Sequence, residues 1–302
     1  MTIAVTGATG FVGQALLDRA AEEGLEVRAL ARQPQAPRPG VEWVAGDLAD
    51  REALAELVRR VRAVIHIAGV VNAPDAAGFE AGNVTGTLNL VECAVAAKVP
   101  RFVHVSSLSA REPQLSAYGA SKRKAEKVVM ASPLDWTIVR PPAVYGPRDR
   151  EMLDLFRFAK SGVVPLPPRG RMAAIHVDDL ARLLLAAIPG GEDVSHQVFE
   201  ADDGHPGGWT HRSFAKAVGW AVGKRITPLP LPAFALRAAA RGDRLLRRAA
   251  AKLTEDRVGY MCHPDWTVRD EARPPADRWT PRVGTREGLK ATAKWYREAG
   301  WL

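Results

Sequence analysis

Tyr118 and Lys122 are the two residues of this chain whose types and spacing best suit proton transfer. Four residues apart on a helix, their side chains lie on the same face. A free tyrosine has a pKa of about 10, too high for ready proton exchange at neutral pH, and a nearby ammonium group lowers it by favouring the phenolate. The pair predicts a tyrosine that acts as a general acid or base. An exposed helix pair without a catalytic role would have the same spacing.

Three glycines near the beginning of the chain, Gly7, Gly10 and Gly13, predict a binding site for a nucleotide phosphate. They follow a run rich in β-branched residues at 2–5, which indicates a buried strand, and precede the amphipathic, helix-like pattern of 14–22. In such a turn, glycines let the backbone approach a pyrophosphate, and the helix N-terminus offers N–H donors to the anion. The spacing GxxGxxG places the second glycine one residue later than in the usual dinucleotide fingerprint.

The end of the second predicted strand, at residues 26–31, indicates which dinucleotide is bound. An NAD site usually carries an acidic residue here, which binds the ribose 2′-hydroxyl. This chain instead has Ala31 followed by Arg32, and a guanidinium suits a 2′-phosphate because it donates paired, charge-assisted hydrogen bonds. Arg38 in the same loop is a second candidate. The sequence predicts NADP(H), with NAD(H) as the alternative if Arg32 is simply one of many surface arginines.

These residues must be positioned by a regular scaffold, and the alternation of strands and helices up to about residue 140 predicts one. It indicates an α/β fold with a doubly wound parallel Rossmann sheet and a smaller C-terminal substrate-binding region. We predict an NAD(P)-binding domain from 1–140 with 173–200, and a substrate-binding region from 141–172 with 201–302. Strands are predicted near 2–6, 26–31, 41–45, 63–67, 101–105, 136–140 and 196–200. Helices are predicted near 11–23, 50–60, 79–97, 116–131 and 177–188.

The composition, with 47% hydrophobic and 25% charged residues, is typical of a globular enzyme. Its two cysteines, Cys93 and Cys262, provide no disulfide framework and indicate a reducing, cytoplasmic location. The first strand is predicted from residue 2, so we expect no targeting peptide, and no apolar run is long enough to cross a membrane. No group of His, Cys and Asp residues has metal-site spacing, so no metal is expected.

Taken in order, the motifs resemble the short-chain dehydrogenase/reductase superfamily, in its extended or atypical, epimerase/dehydratase-like branch. The matching motifs extend over almost the whole chain: TGATGFVG at 6–13, GDL at 46–48, HIAG at 66–69, NVTGT at 83–87, VSS at 105–107, YGASK at 118–122, RPPAVYGPR at 140–148, IHVDDLA at 175–181 and WTPRVGTREGLKATAKWY at 279–296. Their order is specific for the superfamily and much less specific for the substrate.

The resemblance implies a role for individual residues. Tyr118 is the general acid/base, Lys122 also holds the nicotinamide ribose, and Ser107 hydrogen-bonds the reacting oxygen, with Ser109 as the alternative. Asn83 anchors the active-site helix or a relay water, unless it is an ordinary helix cap. Together with Arg32, cofactor contacts are expected at Gly7, Thr9, Gly10, Phe11, Val12, Gly13, Asp47, Leu48, Ala68, Gly69, Tyr118, Lys122, Pro141 and Val144.

Two departures from the sugar epimerases bear on the substrate. Leu108 stands where those enzymes tend to carry a third hydroxyl, and the loop from Ser107 to Tyr118 is short for that group. The segment 253–266 resembles reductase-type members, including those that act on lipids such as a ceramide reductase. We predict an NADP(H)-dependent oxidoreductase for an apolar, lipid-like ketone or alcohol, such as a keto-ceramide or steroid. The alternatives are a nucleotide-sugar epimerase or dehydratase, and a nucleotide-binding accessory subunit, against which the Tyr118–Lys122 pair argues.

Residues 232–253 combine apolar and basic stripes at helical spacing. Six basic residues stand against Asp243 alone, a balance of +5 within the chain's net charge of +8. Such a helix can lie on an anionic membrane or line an entrance for a lipid, and the alternative is a solvated arginine face. Nucleic acid is not expected, because the charge is local and no binding module is recognised. The apolar stripe consists of Phe234, Ala238, Gly242, Leu245, Ala249 and Leu253, and the basic one of Arg237, Arg241, Arg244, Arg248 and Lys252.

Overall fold

A computed structural model describes residues 1–248, 251 and 253–302 of the chain. Its strands are β1 (Thr2–Thr6), β2 (Glu26–Ala31), β3 (Val41–Ala45), β4 (Ala63–His66), β5 (Phe102–Val105), β6 (Trp136–Arg140), β7 (Ala143–Tyr145), β8 (Val163–Leu166), β9 (Arg171–Met172), β10 (Ala174–His176), β11 (Gln197–Glu200), β12 (Trp209–Thr210), β13 (Thr227–Pro230) and β14 (Asp265–Trp266). Its α-helices are α1 (Phe11–Glu22), α2 (Arg51–Leu57), α3 (Ala76–Phe79), α4 (Gly86–Ala96), α5 (Ala117–Met130), α6 (Leu153–Ser161), α7 (Val177–Ala186), α8 (His211–Val222), α9 (Ala233–Arg247), α10 (Glu255–Met261) and α11 (Thr285–Glu298).

Seven strands form one parallel sheet in the order β11–β6–β5–β4–β1–β2–β3. The order of strands along the sheet reverses between β1 and β4, and doubly wound folds bind their ligands at this position. In register, Thr6 lies beside His66 and His66 beside His104. The carboxyl ends of β1, β4 and β5 are therefore neighbours, and the loops that follow them meet at one edge. The predicted doubly wound fold is confirmed.

The described chain divides into two compact units. The first comprises Met1–Pro141, Leu180–Glu200 and Ala272–Thr280, and the second Pro142–Asp179, Ala201–Glu271 and Pro281–Leu302. These limits differ from the predicted domains, because 173–179 falls in the second unit and 272–280 in the first. The assignment of cofactor binding to one part and substrate binding to the other stays a prediction.

Each unit has its own core. In the first, buried aliphatic residues of the sheet pack against α2 and α4, as expected for parallel strands covered on both faces. In the second, the aromatic side chains Tyr145, Phe156, Phe214 and Tyr296 form the centre of a separate cluster. None of the described helices has the length and apolar character needed to span a bilayer.

The predicted helix over 79–97 is wrong in its interior. The α-helix α3 ends at Phe79, a π-helical turn follows over Glu80–Thr85, and α4 begins only at Gly86. The Thr87 hydroxyl donates to the carbonyl of Asn83 at 2.6 Å, and the Asn83 side chain bonds to Val70. Such side-chain contacts with a helix backbone accompany π turns, which recur at functional sites.

Candidate functional site

The turn after β1 leaves no space for side chains at two of its glycines. Gly7 has φ = 73°, and a Cβ built on it would lie 2.6 Å from the amide nitrogen of Ala68. A Cβ on Gly13 would lie 2.1 Å from the carbonyl oxygen of Gly7. Gly10 caps α1 without a side chain, so the first-turn N–H groups that a helix leaves unpaired stay accessible to an anion. This backbone cradle fits a dinucleotide pyrophosphate.

His66 lies at the end of β4, beside the glycine turn, and both of its ring nitrogens are hydrogen-bonded. The Thr87 hydroxyl uses its one proton on the Asn83 carbonyl, so it accepts the bond from Nε2–H of His66 at 2.9 Å. Nδ1 of His66 then accepts from the Thr6 hydroxyl at 2.6 Å, and that hydroxyl accepts the Ala68 N–H at 3.2 Å. Burial lowers the pKa of His66 to about 3, so the ring is neutral. His66 is therefore a buried histidine with both ring nitrogens hydrogen-bonded.

The helix α5 presents Tyr118 and Lys122 on one face. Ser116 caps the helix by accepting the N–H of Gly119 at 2.9 Å, and the half-buried Tyr118 ring lies 5.9 Å from that of Phe79. Lys122 is buried, and its Nζ donates to the carbonyl of Val105 at 2.8 Å. Burial lowers the pKa of Lys122 to about 8, although Glu126 opposes the shift.

Asn83 joins the loop after β4 to α5. Its Oδ1 accepts the N–H of Val70 at 2.6 Å, and its Nδ2 donates to the Val70 carbonyl at 3.0 Å and to Oγ of Ser121 at 2.8 Å. A Cβ built on Gly69 would lie 3.1 Å from Oδ1 of Asn83 and 3.7 Å from Nζ of Lys122. Asn83 is therefore an anchor and not a helix cap, and Gly69 keeps the backbone open beside the lysine.

The serines after β5 differ in their partners. The Ser106 hydroxyl is buried and donates to Oε1 of Glu126 at 2.7 Å. The hydroxyl of Ser107 accepts from the Ser109 hydroxyl at 2.9 Å and from the Ser109 N–H at 3.3 Å, so its own proton remains for another acceptor. Leu108 is 3% exposed, and its N–H donates to the carbonyl of Pro141 at 3.0 Å. The choice of Ser107 over Ser109 as the hydroxyl offered to a ligand stays a prediction.

A buried ion pair beneath α5 was not predicted from the sequence. Glu126 accepts two bonds of 2.7 Å from Arg140, at the end of β6, and one of 2.9 Å from Arg123. Burial opposes ionisation of Glu126, but these partners and Ser106 lower its pKa overall. The available signal was an acidic residue four positions after Lys122, on the same helix face. These bonds connect α5 to the end of β6.

The remaining predicted cofactor residues are spread along both units. Thr9 is exposed and Phe11 and Val12 are half-buried around the glycine turn, while exposed Asp47 accepts the N–H of Ala49 at 2.8 Å. Leu48 packs against Gly86, where an added Cβ would lie 2.8 Å from its Cδ1. Val144 lies on β7 in the second unit, and its place at the nicotinamide stays a prediction.

The two arginines of the β2–β3 loop have different surroundings. Arg38 donates to Asp18 at 2.8 Å and to Gln14 at 3.2 Å. Arg32 is exposed and has no hydrogen bond or ion pair within the described part of the chain. Across residues 1–248, 251 and 253–302, no three His, Cys, Asp or Glu side chains cluster as a metal site requires.

Comparisons with known proteins identify the family and the fold. The profile of the NAD dependent epimerase/dehydratase family matches residues 3–200. The chain is similar to a ceramide reductase of Caulobacter vibrioides, with 37% identity over 310 residues that cover 99% of this chain and 96% of the relative. A 2-alkyl-3-oxoalkanoate reductase of Stenotrophomonas maltophilia is 29% identical, with coverages of 96% and 98%. The solved structure of MoeE5 in complex with UDP-glucuronic acid and NAD superimposes with a TM-score of 0.76 at 22% identity, covering 99% of this chain and 100% of that one. The chain therefore belongs to the NAD dependent epimerase/dehydratase family, as the order of its motifs predicted.

Proposed function

We propose that the chain is an NADP(H)-dependent oxidoreductase that interconverts a carbonyl and an alcohol on an apolar, lipid-like substrate. The observation that carries the proposal is the buried Lys122 ammonium, one helical turn from Tyr118 and close to Gly69. When bound, the dinucleotide would supply or accept the hydride. The glycine turn over 7–13 would hold its pyrophosphate.

The chain's own residues would handle the proton. In the reductive direction, Tyr118 donates its hydroxyl proton to the substrate oxygen as the carbonyl becomes an alcohol. The Lys122 charge stabilises the resulting phenolate, an effect that is stronger in a low-dielectric site than in water. Ser107 donates a hydrogen bond to the same oxygen and so stabilises the charge that develops there. In the oxidative direction, the phenolate takes the proton back.

The preference for NADP(H) rests on the contrast within the β2–β3 loop. Arg38 is already bound to Asp18 and Gln14, whereas Arg32 has its guanidinium exposed and unpaired within the described residues. A 2′-phosphate would supply Arg32 with the charged partner it lacks. Arg32 is therefore the favoured residue for this phosphate, and NAD(H) is the alternative.

Two observations support an apolar ketone over a nucleotide sugar as the substrate. Leu108, at the position of the third hydroxyl, is buried in the core and offers no hydrogen bond from its side chain. Both relatives described above are reductases by name and match nearly the whole chain, whereas a UDP-glucose 4-epimerase of Vibrio cholerae is 26% identical and covers 76% of it. A keto-ceramide-like lipid is the first substrate class to test, and a cytoplasmic enzyme in peripheral contact with the membrane would reach it.

A turnover screen tests the proposal. The purified chain is assayed with a keto-ceramide, a 2-alkyl-3-oxoalkanoate, a steroid ketone and a nucleotide sugar, each with NADPH and with NADH. We expect turnover of a keto-lipid with NADPH, and turnover slower by about 10²–10⁴-fold for a Tyr118→Phe control. Turnover of the nucleotide sugar alone would replace the proposal with the epimerase or dehydratase function. Tight cofactor binding without turnover of any class would favour the accessory subunit.

A further inference from the structure

The helix α9 carries large apolar side chains on its solvent side. Phe234, Leu245 and Leu246 are 75%, 82% and 86% exposed, more than any other large apolar residue in the described chain. Phe234, Ala238 and Leu245 follow one line along the helix, because intervals of four and seven residues return to nearly the same side. Leu246 widens this line. We call Phe234, Ala238, Leu245 and Leu246 the apolar strip.

The opposite side of α9 is thinly packed. Of its 15 residues only Leu236 and Ala240 are buried, and they form a small cluster with Val258 of α10, apart from the main core of the second unit. Helices of this length are marginal in water unless a face is buried. A partner that covered the apolar strip would therefore stabilise α9.

Arginines flank the apolar strip. Arg241 pairs with Glu255 at 2.7 Å and Arg247 with Asp243 at 3.2 Å. Arg237, Arg244 and Arg248 are exposed and have no acidic partner at ion-pair distance among the described residues. Arg237 and Arg244 are seven residues apart, so they lie on one line beside the strip, and Arg248 directly follows the last residue of α9. Ala249 and Lys252, which the sequence placed in the two stripes, lie outside the described residues.

We propose that α9 binds the surface of an anionic lipid bilayer. Phe234, Leu245 and Leu246 would enter the boundary between headgroups and acyl chains, and Arg237, Arg244 and Arg248 would extend to the lipid phosphates. A bilayer surface matches both properties at once, because it offers apolar depth directly beneath a layer of negative charge. The sequence predicted membrane contact through basic charge. The structure adds an exposed apolar strip, so binding involves insertion as well as charge attraction.

The inference is independent of the proposed activity, because binding to vesicles is measured without turnover. Full-length protein is sedimented with vesicles of phosphatidylcholine alone and of phosphatidylcholine with phosphatidylglycerol, at low and high salt. We expect the wild type to bind the anionic vesicles and to retain part of that binding at high salt. The triple variant Phe234→Ser, Leu245→Ser, Leu246→Ser should bind at least tenfold more weakly at both salt concentrations.

Charge variants separate the two contributions. Arg237→Gln with Arg244→Gln should weaken binding at least tenfold at low salt, at about 1 kcal/mol per basic residue, and this difference should shrink as salt screens the charges. The matched controls are Phe158→Ser, which changes another exposed aromatic residue, and Arg60→Gln with Arg62→Gln, which removes two exposed charges elsewhere. Both controls should bind like the wild type. Unchanged melting temperature and cofactor affinity would show that each variant is folded.

Three results would overturn the proposal. The wild type could leave anionic vesicles unbound even at low salt. The controls could lose as much binding as the α9 variants. The chain could instead form a dimer that the triple serine variant abolishes while vesicles stay unbound, and the apolar strip would then be a contact between two copies.

Discussion

The helices α5 and α9 are nearly equal in length, with 14 and 15 residues, yet each places some side chains contrary to expectation, and in opposite ways. α5 buries the charged residues Lys122 and Glu126, while α9 leaves Phe234 and Leu245 in solvent. Both arrangements run against the usual distribution of apolar and charged residues in folded proteins. Charges inside and apolar groups outside each indicate a task other than stabilising the fold.

The two helices differ in how these unusual residues are satisfied. Burying a charge is costly unless it is paired and hydrogen-bonded. On α5, Lys122 donates to the Val105 carbonyl and Glu126 is held by Arg140, so the partners are within the first unit itself. On α9, nothing in the described part of the chain covers Phe234, Leu245 or Leu246. The buried charges of α5 therefore find their partners within the described chain, whereas the proposed partner of the apolar strip would be a separate surface.

The largest expected loss of activity follows substitution of Tyr118, whose phenolate the buried Lys122 charge would stabilise. Tyr118→Phe should lower kcat by about 10²–10⁴-fold, because general acid/base groups contribute about that much. Cofactor affinity should stay close to that of the wild type, since only the hydroxyl is lost. Steady-state kinetics with a substrate found in the screen, together with NADPH titration, provides the measurement. Activity within about threefold of the wild type would remove Tyr118 from the mechanism.

Lys122 tests whether α5 keeps a costly charge buried. Because its folded pKa is about 8 and its usual value is 10.5, the unfolded chain binds more protons between those values. Stability contributed by this group should therefore rise as pH increases from about 8 to about 10.5. The free energy of unfolding of the wild type minus that of Lys122→Met should rise by up to about 3 kcal/mol over this range. A flat difference in denaturant titrations would contradict a buried ammonium.

Gly13 at the beginning of α1 is a tightly packed glycine, in contrast to Gly242 of α9, which has open space around it. Alanine at this position would place its Cβ 2.1 Å from the Gly7 carbonyl oxygen and 2.6 Å from Cα of Ala8. Because backbone atoms cannot move aside as a side chain can, α1 would have to shift. We expect Gly13→Ala to lose about 1–3 kcal/mol of unfolding free energy and to bind NADPH at least tenfold more weakly. Chemical denaturation and NADPH titration measure the two effects, and wild-type values for both would contradict the close packing.

Arg32 and Arg38 test the difference between an arginine that is proposed to bind the cofactor and one that is already paired within the protein. Arg32→Asp should shift the ratio of NADPH to NADH affinity at least tenfold towards NADH, because a charge-assisted bond is worth about 1.5–3 kcal/mol and the new carboxylate repels the 2′-phosphate. Arg38→Gln, at a residue already paired with Asp18, should change the ratio much less. An unchanged ratio for Arg32→Asp would move the phosphate site to Arg38 or indicate an NAD(H) enzyme.

The sequence predicts features that depend on local pattern and leaves open those that depend on distant contacts. The strand over 26–31 ends where its apolar run gives way to Arg32, and that over 136–140 ends before Pro141, so both limits are confirmed residue for residue. The π turn around Asn83 was missed, because it depends on hydrogen bonds with Val70 and Thr87 that helical periodicity does not encode. The partner of a buried charge is equally hidden, since Glu126 and Arg140 meet only through the packing of α5 on β6.

The same limit applies to the surface of α9. Spacing identifies Phe234 and Leu245 as one stripe, but it does not say whether that stripe or another faces the protein. The structure buries Leu236 and Ala240 instead, because these are the residues that reach Val258 on α10. A helix with two candidate apolar faces therefore needs its neighbours to be known before its free face can be assigned.

Gly242 provides the smallest effect and completes the comparison with Gly13. It lies inside α9, and a Cβ built on it would meet nothing within 4 Å. Alanine at a helix position with open space should stabilise by about 0.5–1 kcal/mol, because it restricts the unfolded chain and favours the helix. Because α9 packs so thinly, the gain should appear first as slower amide hydrogen exchange within the helix, and only partly as a higher melting temperature. Vesicle binding should be unchanged or slightly tighter, since the helix that presents the apolar strip would be more often formed. Faster exchange in Gly242→Ala would mean that α9 bends at this glycine. The alignment of Phe234, Ala238 and Leu245 along one side of a regular helix would then be wrong.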